Sequence, residues 1–176
     1  MFTQNISFKN FLIKKKKLVV KKNLNLILNE KNQVISSLSK SYKDSFNKKN
    51  TKYFNKKFDY RIIGMGGSTL GAQAIYDFLK KKIKKKFIFV DNLNALENKK
   101  EKKNLNNLII SKSGNTTETI VNANILIKKK DKNLFITEKK ESYLSLLAKK
   151  LKAEVIDHKN YIGGRYSVLS EVGMLP

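Results

Sequence analysis

From Asp59 onward, the chain alternates between short apolar runs and longer stretches in which apolar residues recur at helical spacing. The runs are apolar throughout, as strands are when helices cover both faces of a sheet. This alternation predicts an α/β fold, a doubly wound parallel five-stranded sheet with flanking helices. The predicted strands are residues 60–63, 87–90, 108–110, 134–136 and 155–156.

Four helices are predicted to connect these strands. One spans residues 143–151, a very polar one spans residues 94–103, and a third passes through Ile120 and Ile127. The helix after the first strand places five apolar side chains on one face, those of Leu70, Ala74, Ile75, Phe78 and Leu79.

The first 57 residues carry no motif, and this sets the predicted domain organisation. Apolar residues near helical spacing at Ile27, Val34, Leu38 and Tyr42 indicate a helix within connectors rich in Lys, Asn and Ser. We therefore predict an N-terminal helical or irregular segment, residues 1–57, followed by one binding domain, residues 58–176.

The composition narrows the chemistry of the chain. There is no Cys and a single His, His158, which excludes disulfides, thiolate nucleophiles and a histidine-rich metal site. The net charge of +24 is typical of nucleic-acid-binding proteins, because basic groups neutralise phosphates. Only two of the 38 basic residues are Arg, however, and the lysines are spread along the whole chain. We therefore expect no specific nucleic-acid partner, although the charge favours encounter with anionic substrates.

No segment of the sequence has the character of a membrane anchor. The apolar runs are far shorter than the ~20 residues that a membrane span needs. Lysines at positions 14–17 interrupt the N-terminal stretch where a signal peptide would carry its hydrophobic region. A cytoplasmic enzyme or binding domain is expected.

The first candidate binding segment is the loop Gly64-Met65-Gly66-Gly67-Ser68-Thr69, between the first strand and its helix. Glycines let backbone N–H groups approach one anion, and Ser68 or Thr69 could also serve as a helix N-cap. A tight turn without a ligand explains the loop equally well. The dinucleotide fingerprint G-x-G-x-x-G fails at Thr69, although Asp91 lies where a ribose-binding acid would follow the second strand.

A second loop, residues 111–119, favours a phosphate ligand over a dinucleotide. Four hydroxyl residues between positions 111 and 117, one Lys and a helix N-terminus converge there. Such groups suit a phosphate monoester, whose oxygens accept hydrogen bonds while the helix dipole favours its charge. A capping box of Asn115 or Thr116 with Glu118 accounts for Glu118 but not for so many hydroxyl groups. The Walker sequence G-x-x-x-x-G-K-[ST] is absent, which argues against a nucleoside triphosphate.

A third segment, Gly-Gly-Arg-Tyr-Ser at residues 163–167, follows the fifth strand. Arg165 is one of only two arginines in a chain dominated by lysine, which suggests that its fixed charge and fork geometry matter. The alternative is an arginine that ties the loop to a carboxylate.

In these three segments the sequence resembles the phosphoglucose isomerase family, within the wider group of sugar isomerase (SIS) domains. Residues 63–68 resemble the first glycine loop of the family, and residues 111–119 resemble its phosphate-binding segment. Residues 163–167 resemble the glycine–glycine–arginine signature that distinguishes glucose-6-phosphate isomerases from other SIS proteins. The resemblance covers about residues 58–176 and implies an SIS-like, flavodoxin-type fold.

The resemblance implies the interconversion of glucose 6-phosphate and fructose 6-phosphate through a cis-enediol, in glycolysis and gluconeogenesis, without a metal or organic cofactor. Arg165 would be the catalytic residue, a permanent cation that stabilises the enediolate, and Gly67 would approach the sugar through its backbone. A homodimer is implied for the full-length protein. The residues implied to hold the substrate phosphate are Ser68, Ser111, Lys112, Ser113 and Thr116.

Two departures from the family pattern modify these expectations. Gly114 stands where many members carry an aromatic residue. The family's proton-transferring Glu, ring-opening His and late Lys lie beyond its arginine motif, and Glu118, Glu171 and His158 do not match the family's base. We therefore expect a truncated N-terminal part of an isomerase that binds sugar phosphate weakly and does not isomerise it. The alternative is a non-catalytic SIS domain that senses sugar phosphates, which would need no base but also no arginine motif.

Overall fold

The computed structural model of the chain describes residues 18–30, 32–54, 58–93 and 105–176. The chain divides into two compact units, Met1–Tyr42 and Lys43–Pro176. Among the described residues, no helix combines the length and the apolar character needed to cross a membrane.

The described part of the first unit contains two helices, α1 (Leu18–Leu28) and α2 (Gln33–Ser37). A helical N-terminal segment was predicted, but Ile27 and Val34 do not belong to one continuous helix. The side chain of Asn32 accepts a hydrogen bond from the backbone N–H of Val34 at 2.8 Å and so begins a new helix. Asn is among the residues favoured at this capping position, which explains the interruption.

The second unit is built on a parallel sheet of five strands. In the order β2-β1-β3-β4-β5, each strand pairs in parallel with its neighbours. This is the strand order of flavodoxin-type folds, so the predicted fold class is confirmed. The strands are β1 (Asp59–Ile63), β2 (Phe87–Val90), β3 (Leu105–Ile110), β4 (Lys132–Thr137) and β5 (Glu154–Asp157).

Helices cover both faces of this sheet. After α3 (Lys48–Thr51), helix α4 (Leu70–Leu79) contributes Ala72 to the core on one face, together with α7 (Glu171–Met174). On the opposite face, α5 (Thr117–Leu126) and α6 (Tyr143–Leu151) bury Ala123 and Leu144 against the other side of the strands. The helix predicted over residues 94–103 lies outside the described residues.

The prediction for the buried face of α4 was wrong at three of its five positions. Leu70 and Phe78 are 58% and 88% exposed, and Ala74 is exposed as well. Ala72 and Tyr76 face the sheet instead, with the Tyr76 ring edge-on to the ring of Phe87 in β2, at a centroid distance of 5.2 Å. Helical spacing permits two apolar stripes on this helix, and the stripe with the small Ala72 is the one that reaches the sheet.

Strands β3 and β4 begin earlier than predicted because polar residues extend them. Asn107 is fully buried, and its side chain donates hydrogen bonds to Asn133 at 2.8 Å and to Asp131 at 3.3 Å. A buried amide is tolerated when it is hydrogen-bonded in this way. Hydrophobicity alone therefore missed the first residues of both strands.

Residues 43–54 belong to the compact unit with the sheet. The hydroxyl group of Tyr53 lies 2.7 Å from the carbonyl oxygen of Asn107 and 2.5 Å from that of Lys132. The hydroxyl group of Tyr60 donates to the carbonyl oxygen of Tyr53 at 2.9 Å. The compact unit that contains the sheet therefore begins at Lys43, whereas the absence of motifs from the first 57 residues placed the boundary after residue 57.

Replacing Tyr53 with Phe is expected to destabilise the chain by about 1–3 kcal/mol, because a buried acceptor in β3 and a partly buried one in β4 lose this donor. Urea denaturation measures this difference. Tyr143→Phe, on a 69% exposed tyrosine, is the matched control and should be nearly neutral. Equal urea midpoints for the two variants would show that the hydroxyl group of Tyr53 adds nothing to stability and that only its ring contributes.

Candidate functional site

The candidate site lies beyond the carboxyl ends of β1 and β3. These neighbouring strands form the switch point of the sheet, where ligands bind in folds of this type. Residues 64–69 follow β1 and are called the glycine loop; residues 111–116 follow β3 and are called the hydroxyl loop. The two loops start side by side, since a Cβ atom at Gly64 would lie 2.9 Å from the carbonyl oxygen of Ile110.

Three predicted phosphate-binding residues meet in the hydroxyl loop. The hydroxyl oxygens of Ser111 and Thr116 lie 2.9 Å apart, and that of Ser113 is 3.5 Å from each of them. Ser111 is buried, Thr116 is half-buried and Ser113 is exposed, so the cluster opens toward solvent at one end. The structure thus brings together side chains that lie up to five positions apart in the sequence.

The N-terminus of α5 has no side-chain cap. Thr116 occupies the N-cap position, but its side chain makes no capping hydrogen bond and contacts Ser111 instead. Asn115 is also engaged elsewhere, so the capping box expected with Glu118 is not formed. The first N–H groups of this ten-residue helix therefore lack a side-chain acceptor and, with the helix dipole, favour an anion.

The hydroxyl loop is fastened to α6, a contact that the sequence did not reveal. The backbone N–H of Tyr143 donates to the side-chain oxygen of Asn115, and that of Leu144 donates to the carbonyl oxygen of Gly114, both at 3.0 Å. Gly114 has a φ of +68°, a conformation that favours glycine. Gly114 and Asn115 thus accept hydrogen bonds from the first N–H groups of α6, and these two bonds hold the hydroxyl loop in place.

The ammonium group of Lys112 interacts with other groups of the protein. It donates to the carbonyl oxygen of Asn160 at 2.7 Å and lies 3.6 Å from the carboxylate of Glu138. Partial burial acts to raise the pKa of Glu138, but Lys140 and Lys112 outweigh this effect and hold the pKa below its usual value. Lys112 therefore links the hydroxyl loop to Asn160, which precedes the Gly-Gly-Arg-Tyr-Ser segment at residues 163–167.

The glycine loop turns tightly before α4. Gly66–Ser68 form one turn of 3-10 helix, in which Gly66 has a φ of +54°. The hydroxyl group of Thr69 donates back to the carbonyl oxygen of Gly66 at 3.2 Å, and no side chain caps α4. The expected capping by Ser68 or Thr69 is therefore not formed. Within the described residues, the hydroxyl group of Ser68 makes no hydrogen bond.

The two arginines of the chain lie in contrasting environments. Arg61 is buried in β1 and donates to the carbonyl oxygen of Leu126 at 2.9 Å. Arg165 is exposed in a 3-10 helix, Gly164–Leu169, and its guanidinium group has no hydrogen bond or ion pair among the described residues. The alternative that Arg165 ties its loop to a carboxylate is therefore not observed. We refer to residues 163–167 as the arginine motif.

His158 is buried just after β5, with Nδ1 3.1 Å from the carbonyl oxygen of Lys159. Burial lowers the pKa of His158 below its usual 6.5, because the charged imidazolium is poorly solvated there. The positive charge of Lys112 acts in the same direction, whereas Glu171 and Glu138 oppose it. The folded chain therefore favours neutral His158.

Stability is expected to fall as the pH is lowered below about 6.5. The pKa of His158 is lower in the folded chain than in the unfolded chain. Its contribution to the free energy of unfolding is therefore complete above pH 6.5. Below that pH the imidazole group is protonated more readily in the unfolded chain than in the folded chain, which favours unfolding. Urea midpoints at pH 7.5 and 5.5 should differ more for the wild-type chain than for His158→Gln. The same loss in both would assign the pH dependence to other groups.

Comparison with known proteins identifies the relatives of the chain. A family model described as phosphoglucose isomerase matches residues 14–176. The glucose-6-phosphate isomerase of Acholeplasma laidlawii (strain PG-8A) is 40% identical over 134 residues, covering 65% of this chain and 32% of the relative. That of Borreliella burgdorferi (strain ZS7) is 34% identical over 140 residues, covering 68% and 26%. The chain thus spans about a third or less of the length of these relatives.

Solved structures share the fold. A hypothetical protein from Thermus thermophilus has a TM-score of 0.59 at 25% identity, covering 73% of this chain and 35% of that one. The tagatose-6-phosphate ketose/aldose isomerase from Escherichia coli has a TM-score of 0.51 at 17% identity, covering 65% and 34%.

Proposed function

The chain belongs to the phosphoglucose isomerase family, and we propose that its second unit binds the phosphate group of a hexose 6-phosphate between the glycine loop and the hydroxyl loop. The observation that carries this proposal is the cluster of Ser111, Ser113 and Thr116 hydroxyl groups beside the uncapped N-terminus of α5. For the whole protein we propose the isomerisation of glucose 6-phosphate and fructose 6-phosphate.

The hydroxyl loop supplies donors of the kind that a phosphate monoester needs. Each hydroxyl group carries one proton and can rotate, so Ser111, Ser113 and Thr116 can redirect protons to phosphate oxygens. Backbone N–H groups at the start of α5 add further donors, and the helix dipole favours negative charge there. Ser68 adds a hydroxyl group from the glycine loop, and Lys112 retains a third ammonium proton beyond its two protein partners.

Arg165 is proposed to act on the sugar. In the isomerisation, a base removes the proton at C2 of the aldose and the electrons pass to O1, giving a cis-enediolate. A proton then moves from O2 to O1, and protonation of C1 gives the ketose. The guanidinium group of Arg165, which has no hydrogen bond or ion pair with the described residues, can stabilise the charge that develops on O1. We assign the base to no residue of this chain. We further propose a homodimer of the full-length protein in the cytoplasm, without a metal or organic cofactor.

Calorimetric titration of the chain at fixed ionic strength tests this function. Glucose 6-phosphate and fructose 6-phosphate should bind with one-to-one stoichiometry and displace each other. Unphosphorylated glucose should not bind, because the proposed anchor is the phosphate. Binding of several equivalents, weakened steeply by salt, would instead indicate non-specific attraction to the lysines, and the proposed function would fail.

A further inference from the structure

The glycine loop and the arginine motif touch through their backbones. A Cβ atom at Gly67 would lie 2.2 Å from the carbonyl oxygen of Gly164 and 2.9 Å from the backbone nitrogen of Arg165. Both atoms are backbone, so neither can rotate away as a side chain would. Position 67 therefore requires glycine for the approach of the arginine motif, in addition to any approach of a sugar.

A buried hydroxyl group reinforces this contact. Ser167 is 1% exposed, and its hydroxyl group donates to the carbonyl oxygen of Gly164 at 2.6 Å, with that of Gly67 at 3.5 Å. Ser170 in turn donates to the carbonyl oxygen of Ser167 at 2.7 Å. The turn that carries Arg165 is thus closed by hydrogen bonds on its inner side.

Two further glycines enclose Val168 of the same turn. A Cβ atom at Gly71 of α4 would lie 2.8 Å from Cβ and Cγ2 of Val168, and one at Gly173 of α7 would lie 2.0 Å from the carbonyl oxygen of Val168. We call Gly67, Gly71 and Gly173 the glycine seam. It fixes the turn against the glycine loop and against helices on either side.

We propose that the glycine seam positions Arg165 for its action on the sugar. Because the guanidinium group has no hydrogen bond or ion pair among the described residues, the position of the backbone that carries it sets the region that this group can reach. Gly67, Gly71 and Gly173 are positioning residues in this scheme. The inference rests on the proposed function, since Arg165 has a role there only if the ligand is a sugar phosphate.

The two parts of the site are held by different contacts. The hydroxyl loop is held by its contacts with α6, through Gly114 and Asn115, whereas the arginine motif is held by the glycine seam. A defect at Gly71, where a Cβ atom would contact Val168 and not the glycine loop, should therefore impair recognition of the sugar end of the ligand and leave recognition of the phosphate intact.

Two ligands separate these effects. A five-carbon aldonic acid 5-phosphate carries a carboxylate that stands in for the enediolate, whereas an alditol phosphate has the phosphate but no such charge. The wild-type chain should prefer the carboxylate ligand. Gly71→Ala should reduce this preference about tenfold and change the affinity for the alditol phosphate less than about twofold, since one charge-assisted contact is lost.

Three further variants make the test specific. Ala74→Ser adds one atom on the exposed face of the same helix and should leave the preference unchanged. Val168→Gly removes both atoms that lie 2.8 Å from a Cβ at position 71 and should restore the preference in Gly71→Ala. In an Arg165→Gln background, Gly71→Ala should cause no further loss. An equal loss of affinity for both ligands in Gly71→Ala would overturn the inference.

A chain that binds neither ligand would refute the proposed function. In that case NMR tests whether the glycine seam holds the turn that carries Arg165. The amide resonances of residues 163–170 should shift in Gly71→Ala and remain in place in Ala74→Ser. Unshifted resonances in Gly71→Ala would show that the glycine seam does not hold the turn.

Discussion

Replacing Ser111 with Ala and Thr116 with Val together is expected to lower the affinity for glucose 6-phosphate by roughly a hundredfold. The two hydroxyl groups lie 2.9 Å apart at the N-terminus of α5, where the proposed phosphate sits. Hydrogen bonds to a charged group contribute about 1.5–3 kcal/mol each, and about 1.4 kcal/mol corresponds to a factor of ten. Loss of two such bonds at the lower end of this range, about 3 kcal/mol in all, gives the stated effect.

Calorimetry on the wild-type chain and the double variant measures this change, with circular dichroism to show that both are folded. Thr51→Val is the matched control, because its hydroxyl group donates within α3, to the carbonyl oxygen of Lys48, and to no other described residue. It should bind as the wild-type chain does. Unchanged affinity in the double variant would show that the hydroxyl loop does not bind the phosphate.

Gly114→Ala is expected to destabilise the fold by about 2–5 kcal/mol. At a φ of +68°, a side chain costs about 1–2 kcal/mol in conformational energy. The new Cβ atom would also lie 2.1 Å from Oγ and 2.6 Å from Cβ of Ser142. Rotating the Ser142 hydroxyl group does not relieve the second contact, and it breaks the cap that this group provides to Ser145. Overpacking of this kind adds about 1–3 kcal/mol.

Gly66→Ala separates the two contributions. Gly66 has a similar φ of +54°, but a Cβ atom there would meet no atom within 4 Å. Its variant should therefore lose only about 1–2 kcal/mol. Urea denaturation of both variants gives the comparison, and equal losses would mean that the packing of Gly114 against Ser142 is unimportant.

Local patterns were sufficient to predict the elements with an uninterrupted apolar run or a single apolar stripe. Strand β2 and helix α6 have the predicted bounds, because Phe87–Val90 has no polar interruption and Tyr143–Leu151 has one clear apolar stripe. Strand β3 was predicted too short, since Asn107 satisfies its polar side chain through Asn133 and Asp131, a pairing between distant segments. Local hydrophobicity carries no information on such partners.

Local patterns were likewise insufficient to predict the contacts that hold the candidate site together. The convergence of Ser111, Ser113 and Thr116 follows from one loop and was predicted. The capping of α6 by Asn115 joins residues 28 positions apart, and the Gly67–Gly164 contact joins more distant ones. These contacts depend on the strand order, which brings separate loops to one edge of the sheet. The sequence therefore indicated the hydroxyl groups that converge in this loop but not the contacts that hold the loop in place.

The central claim, that a hexose 6-phosphate binds beyond the ends of β1 and β3, is tested most directly by NMR titration of the ¹⁵N-labelled chain with glucose 6-phosphate at fixed ionic strength. The account predicts saturable shifts of the backbone amides of residues 64–69 and 111–119. Shifts confined to lysine-rich segments such as residues 80–86, or no saturable shift at all, would contradict it.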